Sequence, residues 1–567
     1  MQTMTKSRVS RRALIQSAGI FAGTAAAGAL PELRASIPPS QPVPPAPVAP
    51  TIIASDQTDI VETSSGKIRG YTRVGIHTFK GVPYGASTEA PARFQPPSKP
   101  KPWTGVRSSM QYGYVAPQGP RAGWANDEEA WMFSWEDGIQ NEDCLRLNVW
   151  TPALDNAKRP VMVWFHGGGF VAGNGQELRS YDGENLCHRG DVVVVSLNHR
   201  LGPLGYLDLS QFGEKYASSA NVGMLDIVLA LEWVRDNISN FGGDPRNVTI
   251  FGQSGGGGKV NTLMAMPSAQ GLFHRAITQS GSMLRAGSTE NSAKLAAELL
   301  SELNLSTSQI DDLQTIPYRR LLEVGLGIVA KHRPAGPPDV RRMASQLGWA
   351  PVLDGKILPT HPFDPTAPAI SANVPLLVGT VLNEFVTATN HPELEAMTED
   401  EVKKRAAVFY SDHTDEIFRV FREAHPNDKP FDLYSRMMAA PVRQGAVTQA
   451  ERKAAQGAAP AYLYWFTWKT PVLNGRPRAF HCSELAFCFD NVERCENMTG
   501  NGPEARELGA KVSQAWINFA RKGDPNHSGL PHWPAFTAEK CPTMLFDTPC
   551  SMRENPDTPE RLAIAKA

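Results

Sequence analysis

The chain has 567 residues, with 56 Lys and Arg against 57 Asp and Glu and a formal net charge of −1. That balance lacks the basic excess that attracts a nucleic-acid backbone, so no nucleic-acid partner is expected. Apolar residues make up 41% and charged residues 20%, which excludes a disordered chain, and seven cysteines exclude a dense disulfide scaffold.

Lys6, Arg8, Arg11 and Arg12 precede an uncharged stretch from Ala13 to Leu30. Ser10-Arg11-Arg12-Ala13-Leu14-Ile15-Gln16 reads as a twin-arginine export signal. The stretch approaches the length of a membrane helix, but it is rich in Ala and Gly and ends in Ala27-Gly28-Ala29. A cleaved signal peptide over residues 1–29 is therefore expected rather than a stable membrane anchor, with a periplasmic or secreted product. Eight prolines between Pro31 and Pro50 favour extended polyproline II, so residues 30–51 read as a semi-rigid linker. With no second linker and no internal repeat, residues 52–567 are expected to form a single domain.

Val161-Met162-Val163-Trp164-Phe165 and Val192-Val193-Val194-Val195-Ser196-Leu197 are apolar, mainly β-branched runs that suit strands buried on both faces. Val248–Phe251 is a shorter run of the same kind. Between the last two, Leu225, Val228, Leu229, Leu231 and Val234 recur at helical spacing from Met224 to Phe241, and Gly242-Gly243-Asp244-Pro245 is expected to stop the helix with a turn. Strand, helix, strand in this order predicts an α/β fold with a large, mostly parallel central sheet and helices on both faces. The helical stretches Ser292–Val329 and Glu399–Gln456 read as insertions forming a lid or gorge wall.

Gly252-Gln253-Ser254-Gly255-Gly256 fits G-x-S-x-G directly after a strand and before a helix, which makes Ser254 the candidate nucleophile. A serine on so sharp a turn needs neighbours with little side chain at positions 252 and 256. Upstream, His166-Gly167-Gly168-Gly169-Phe170 follows the Val161–Phe165 strand. A glycine run there lets backbone N–H groups face a ligand, and no G-K-[ST] follows to make it a phosphate cradle. This pairing is the arrangement of lipases and esterases. Gly168 and Gly169, with Gly255, would donate to an oxyanion. His166 and His199 read as structural, and Asp354 as a turn residue.

With their neighbours, these motifs resemble the type-B carboxylesterase and cholinesterase family of α/β-hydrolases. The resemblance runs from about Ile60 to Phe546 and includes Phe79-Lys80-Gly81-Val82-Pro83-Tyr84, Glu142–Pro152, Asn198–Gly205, Phe241–Val248 and Ile277–Ser282. It implies Glu384, in Val381-Leu382-Asn383-Glu384-Phe385, as the acid, and His481, in Ala479-Phe480-His481-Cys482-Ser483-Glu484, as the base. It also implies Ser280 and Glu484 as supports, with Gln253 beside the nucleophile as a third, and buried ion pairs Arg93–Glu142 and Arg200–Asp226. The expected function is serine carboxylesterase action on neutral or hydrophobic small-molecule esters, with no metal and no organic cofactor. A specialised xenobiotic ester, lactone or amide is the alternative substrate, and an inactive binding protein the remote alternative.

Many relatives carry Glu and Ala on either side of the nucleophile, where this chain has Gln253 and Gly255. Without that carboxylate no preference for choline-like esters is expected. The cysteine matching Cys144 bonds an upstream partner in animal relatives, but here no cysteine lies upstream. Cys482, Cys488 and Cys495 lack zinc-ligand spacing and read as thiols, while a Cys541–Cys550 bridge is left open. Trp124, Trp131, Phe133 and Trp135 read equally well as gorge lining or as core.

Overall fold

The computed structural model describes residues 51–119, 127–332 and 347–567. The expected signal peptide, residues 30–50 of the linker and Trp124 lie outside the described residues. Thr51–Ala567 forms one compact unit.

In chain order the strands are β1 (Ile52–Ile53), β2 (Ile60–Thr63), β3 (Gly66–Arg69), β4 (Tyr71–Arg73), β5 (Ile76–Pro83) and β6 (Val106–Ser108). Then come β7 (Arg146–Thr151), β8 (Arg159–Phe165), β9 (Val193–Leu197), β10 (Gly243–Gln253) and β11 (Arg275–Gln279). The last are β12 (Leu376–Val381), β13 (Ala461–Phe466), β14 (Thr543–Phe546) and β15 (Ser551–Arg553). Twelve of them form one sheet in the order β1-β4-β5-β7-β9-β8-β10-β11-β12-β13-β14-β15, and β2-β3-β6 form a small second sheet. From β9 to β14 every pairing is parallel, and antiparallel strands finish both edges.

The β-branched runs become central strands because both of their faces are covered. Val161, Val163 and Phe165 enter one core together with Val193, Val195, Val248 and Ile250. Their alternates Met162, Trp164 and Val194 enter the other core. On the first face lie the helices Val222–Asn237 and Gly255–Ala265 and the later part of Pro430–Ala454. On the second lies Pro503–Lys522, through Leu508, Val512, Trp516 and Phe519. Each fully buried Val or Leu is worth about 1.5–3 kcal/mol, so this two-sided burial dominates what holds the sheet.

The turn expected at Gly242–Pro245 needs correction. Gly242 ends the preceding helix in the left-handed region at φ 77°, but Gly243 already pairs with Arg159 at the start of β10. A register shift between Gly243 and Val248 accommodates Pro245, which has no N–H to give to a ladder.

The insertions are helical as expected. The first comprises Thr289–Glu302 and Tyr318–Lys331, and the second Glu399–Tyr410, Thr414–Ala424 and Pro430–Ala454. The second begins at a capping box in which the Thr398 hydroxyl accepts from Glu401 N and the Glu401 carboxylate accepts from Thr398 N. It owns a separate core of Ile417, Phe418, Phe421, Phe431 and Met437. Both buried ion pairs are present. Arg93 donates to the two Glu142 oxygens at 2.7 and 2.6 Å, and Arg200 to the two Asp226 oxygens at 2.9 and 2.6 Å. All seven cysteines are free thiols, Cys541 and Cys550 included. Asp354 is a turn residue, its Oδ1 accepting from the N–H groups of Lys356, Ile357 and Leu358.

Candidate active site

Strands β10 and β11 end level, with Gln253 opposite Gln279, while β12 runs past Gly379, the partner of Gln279, to Val381. The ladder continues one step beyond the strands, since Ser254 N donates to Gln279 O and Ser280 N to Gly379 O, both at 2.8 Å. Just past these ends the backbone turns sharply. Ser254 sits at φ 57°, Ser280 at 44°, Glu384 at 47° and, on a facing loop, Cys482 at 79°. A non-glycine residue held there costs about 1–3 kcal/mol, and such outliers cluster where geometry serves function.

Ser254 caps the helix Gly255–Ala265, whose Gly258 N–H donates to the Ser254 carbonyl at 3.1 Å. The close approach behind the turn needs glycine. A Cβ at Gly256 would fall 2.0 Å from Phe165 O, and one at Gly252 would fall 2.5 Å from the Gly256 carbonyl. Gly168 and Gly169 lie at φ 77° and 62°, and Gly168 is exposed. Among the described residues, the N–H groups of Gly168, Gly169 and Gly255 donate to no backbone or side-chain acceptor. Three such donors facing one position would stabilise an oxyanion, each by about 2.7–4 kcal/mol.

Glu384 and His481 are joined by a short parallel ladder. Asn383 N donates to Ala479 O at 3.0 Å and His481 N to Glu384 O at 2.8 Å. This ladder points His481 Nδ1 at Glu384 Oε2, 2.5 Å away, with both side chains almost fully buried. Glu384 Oε1 accepts from Ser280 Oγ at 2.9 Å and from Val381 N at 3.2 Å. Every hydrogen bond of this carboxylate is therefore with a donor.

His481 Nε2 faces Gln253 Nε2 at 3.0 Å. The other end of that amide, Oε1, accepts from the Cys482 thiol at 3.2 Å, which turns the NH2 toward the imidazole. In this arrangement Nδ1 carries the proton and Nε2 the lone pair, the state a general base needs. No hydrogen bond joins Ser254 Oγ to any group among the described residues, and His481 Nε2 meets the Gln253 amide instead.

Glu484 is buried, and its Oε1 accepts from Gln279 Nε2 at 3.3 Å. Burial first, and the Glu384 charge second, push its carboxyl up to about 8. It thus holds its proton at neutral pH, where the unfolded chain would release it. The protein is expected to lose stability as pH rises from about 4.5 to 8, at about 1.4 kcal/mol per pH unit for each such group. Glu484→Gln removes that contribution. Urea titrations between pH 5 and 8 are expected to show a shallower decline than in the parent, with Glu177, pushed up to about 8 by burial, leaving a residual slope. An unchanged slope contradicts the assignment.

His166 and His199 stack at 5.1 Å between ring centroids, each Nδ1 against a backbone carbonyl. Burial and the Lys259 charge hold both well below the usual histidine range, so they are neutral supports. Phe133 packs edge-on against Phe480, beside His481, at 5.7 Å. Trp131 is half exposed, and Trp135 packs on Phe133 at 5.9 Å. Two residues escape sequence reasoning. The half-exposed ring of Phe385 covers the His481 imidazole at 3.8 Å, and Lys259 is fully buried on the helix behind Ser254. The signal for Lys259 is a lone cation within a run of glycine and apolar residues.

A model of the carboxylesterase family matches residues 57–562. The para-nitrobenzyl esterase of Bacillus subtilis (strain 168) is 35% identical over 522 residues, covering 88% of this chain and 97% of its own. The phenmedipham hydrolase of Pseudarthrobacter oxydans is 32% identical over 489 residues, covering 85% and 93%. The solved structure of a Clostridium hathewayi esterase, described as hydrolysing aliphatic aromatic polyesters, has a TM-score of 0.78 at 38% identity and covers 91% of this chain and 99% of that one.

Proposed function

Since the chain belongs to the carboxylesterase family, with the α/β-hydrolase fold and carboxylic ester hydrolase activity of its relatives, we propose that Ser254, His481 and Glu384 carry the reaction. The observation that supports this most is the 2.5 Å contact of His481 Nδ1 with Glu384 Oε2, with Nε2 turned toward the residue preceding Ser254.

Ser254 Oγ attacks the ester carbonyl carbon as its proton passes to His481 Nε2, and the Gln253 amide gives up its contact with that nitrogen. The carbonyl oxygen becomes an oxyanion held by the N–H groups of Gly168, Gly169 and Gly255. Collapse breaks the C–O bond to the alcohol, which leaves with the proton from His481. Water then attacks the acyl-serine, gives one proton to His481, and releases the carboxylic acid as Ser254 recovers its hydroxyl. Glu384 keeps Nδ1 protonated and stabilises the imidazolium between transfers.

The neutral Gln253 amide, where many relatives carry a carboxylate, supports a preference for uncharged esters. Comparing butyrylcholine with a neutral butyrate ester of similar size is expected to show no kcat/KM advantage for the choline ester, since the carboxylate whose steering is worth about 10-fold or more is absent. Preference for the choline ester contradicts this reading. Matched p-nitrophenyl ester and p-nitroanilide substrates separate esterase from amidase action. The twin-arginine pattern Ser10–Gln16 supports export, and we propose a periplasmic or secreted enzyme.

A further inference from the structure

Lys259 lies on the helix Gly255–Ala265, five residues beyond Ser254, and is fully buried. No carboxylate pairs with it among the described residues. Its Nζ donates to His166 O at 2.8 Å and to Gly169 O at 3.0 Å, and lies 5.5 Å from the Phe170 ring centroid. Burying an ammonium costs several kcal/mol, which sets this residue apart from an ordinary core position.

The two carbonyls it holds are the ends of the His166–Gly169 turn. The carbonyls between them are held as well: Gly167 O lies 2.9 Å from His166 Nδ1, and Gly168 O accepts from the N–H groups of Val171 and Ala172. A trans peptide points its N–H opposite its C=O. Fixing the Gly167 and Gly168 carbonyls on the protein side therefore turns the Gly168 and Gly169 N–H groups the other way. Lys259 pins both ends of that arrangement. Its close fit also depends on Gly255, where a Cβ would fall 2.2 Å from Gly169 O.

We propose that Lys259 is a positioning residue for the oxyanion hole, its Nζ holding the His166 and Gly169 carbonyls so that the intervening amides stay turned toward the substrate. This rests on the reading of Gly168 and Gly169 as oxyanion donors. The titratable groups around it are His166 on the turn, His199 after β9, and Glu177 beyond the turn. Burial lowers Lys259 to about 7, opposed by Glu177, and in either protonation state its Nζ has the N–H donors that the His166 and Gly169 carbonyls accept.

The test compares Lys259→Met, which keeps the length and removes the donors, with Lys259→Gln, which keeps a donor on a shorter arm. Kinetics on p-nitrophenyl butyrate and the affinity of a trifluoromethyl ketone, whose hemiketal carries an oxyanion, are measured on the full chain. Since removing one oxyanion donor costs 10^2–10^3 in kcat, displacing the turn that carries two is expected to lower kcat roughly 10- to 100-fold in Lys259→Met. KM is expected to stay within about threefold, ketone affinity to fall by the same factor as kcat, and Lys259→Gln to lie between. A folded Lys259→Met with parental kcat and ketone affinity overturns the proposal. If both variants fail to fold, selective 15N-lysine NMR of the parent carries the test. The buried Lys259 signal is expected to shift when the ketone binds, and an unmoved signal overturns the proposal. Failure of the parent to bind the ketone covalently would instead strike the oxyanion reading itself.

Discussion

Alanine at position 254 is expected to reduce kcat on p-nitrophenyl acetate or butyrate by about 10^4–10^6-fold, the range seen when a serine nucleophile is removed. The size follows from what is lost. Without Oγ no acyl-enzyme forms, and His481 can only activate water in a site shaped for a covalent intermediate. What remains comes from the oxyanion donors and from substrate binding. Folding is expected to survive, with stability changed by less than about 1 kcal/mol, because Ser254 Oγ holds no hydrogen bond among the described residues and alanine meets the same backbone cost at φ 57°. Thermal unfolding beside the kinetics separates lost chemistry from lost structure. A folded variant with more than a hundredth of the parental kcat contradicts the assignment.

The second large effect is expected from Glu384→Gln, about 10^3–10^4-fold in kcat, as for other triads whose acid becomes an amide. Three donors converge on this carboxylate: His481 Nδ1, Ser280 Oγ and Val381 N. An amide offers only one oxygen and adds an NH2, so one of the three loses its acceptor. If the NH2 faces His481, the imidazole must turn its Nδ1 lone pair toward it and carry the proton on Nε2, where it cannot accept from Ser254. Ser280 and Val381 share Oε1, and the Val381 amide cannot reverse its direction as the Ser280 hydroxyl can, so the amide oxygen takes that place and the NH2 faces His481. Adding Ser280→Ala removes the more tolerant partner. The double variant is expected to show no partial recovery of activity, and recovery would argue against tautomer control.

The central strands could be read from the chain because their residues face apolar cover on both sides, leaving unbroken β-branched runs such as Val192–Val195. The nucleophile turn was legible for a local reason. Gly252 and Gly256, on either side of Ser254, record in sequence a contact that leaves no room for Cβ atoms. Glu384 and His481 were not legible from spacing, since 13 histidines and 57 acidic residues offer many pairs. The pairing is created by the Asn383–Ala479 and His481–Glu384 backbone bonds across almost a hundred residues, and only family resemblance pointed to it. The start of β10 was misread because Gly243 and Pro245 carry turn propensity that strand pairing with Arg159 overrides. The His481 contact of Gln253, a residue the sequence marks as a support, and the place of Lys259 were hidden for a related reason. Each acts through a neighbour remote in sequence, His481 for one and the glycine turn for the other.

The most direct measurement is covalent trapping. The parent enzyme is inactivated with a fluorophosphonate, then weighed intact and mapped by proteolysis, and the rate of labelling is compared with that of His481→Ala. The account predicts one adduct per chain, on the peptide bearing Ser254, with labelling at least about 10^3-fold slower in the histidine variant, as expected when a base that activates the nucleophile is removed. An adduct on another residue accompanying loss of activity, or full activity after Ser254 is modified, would contradict it.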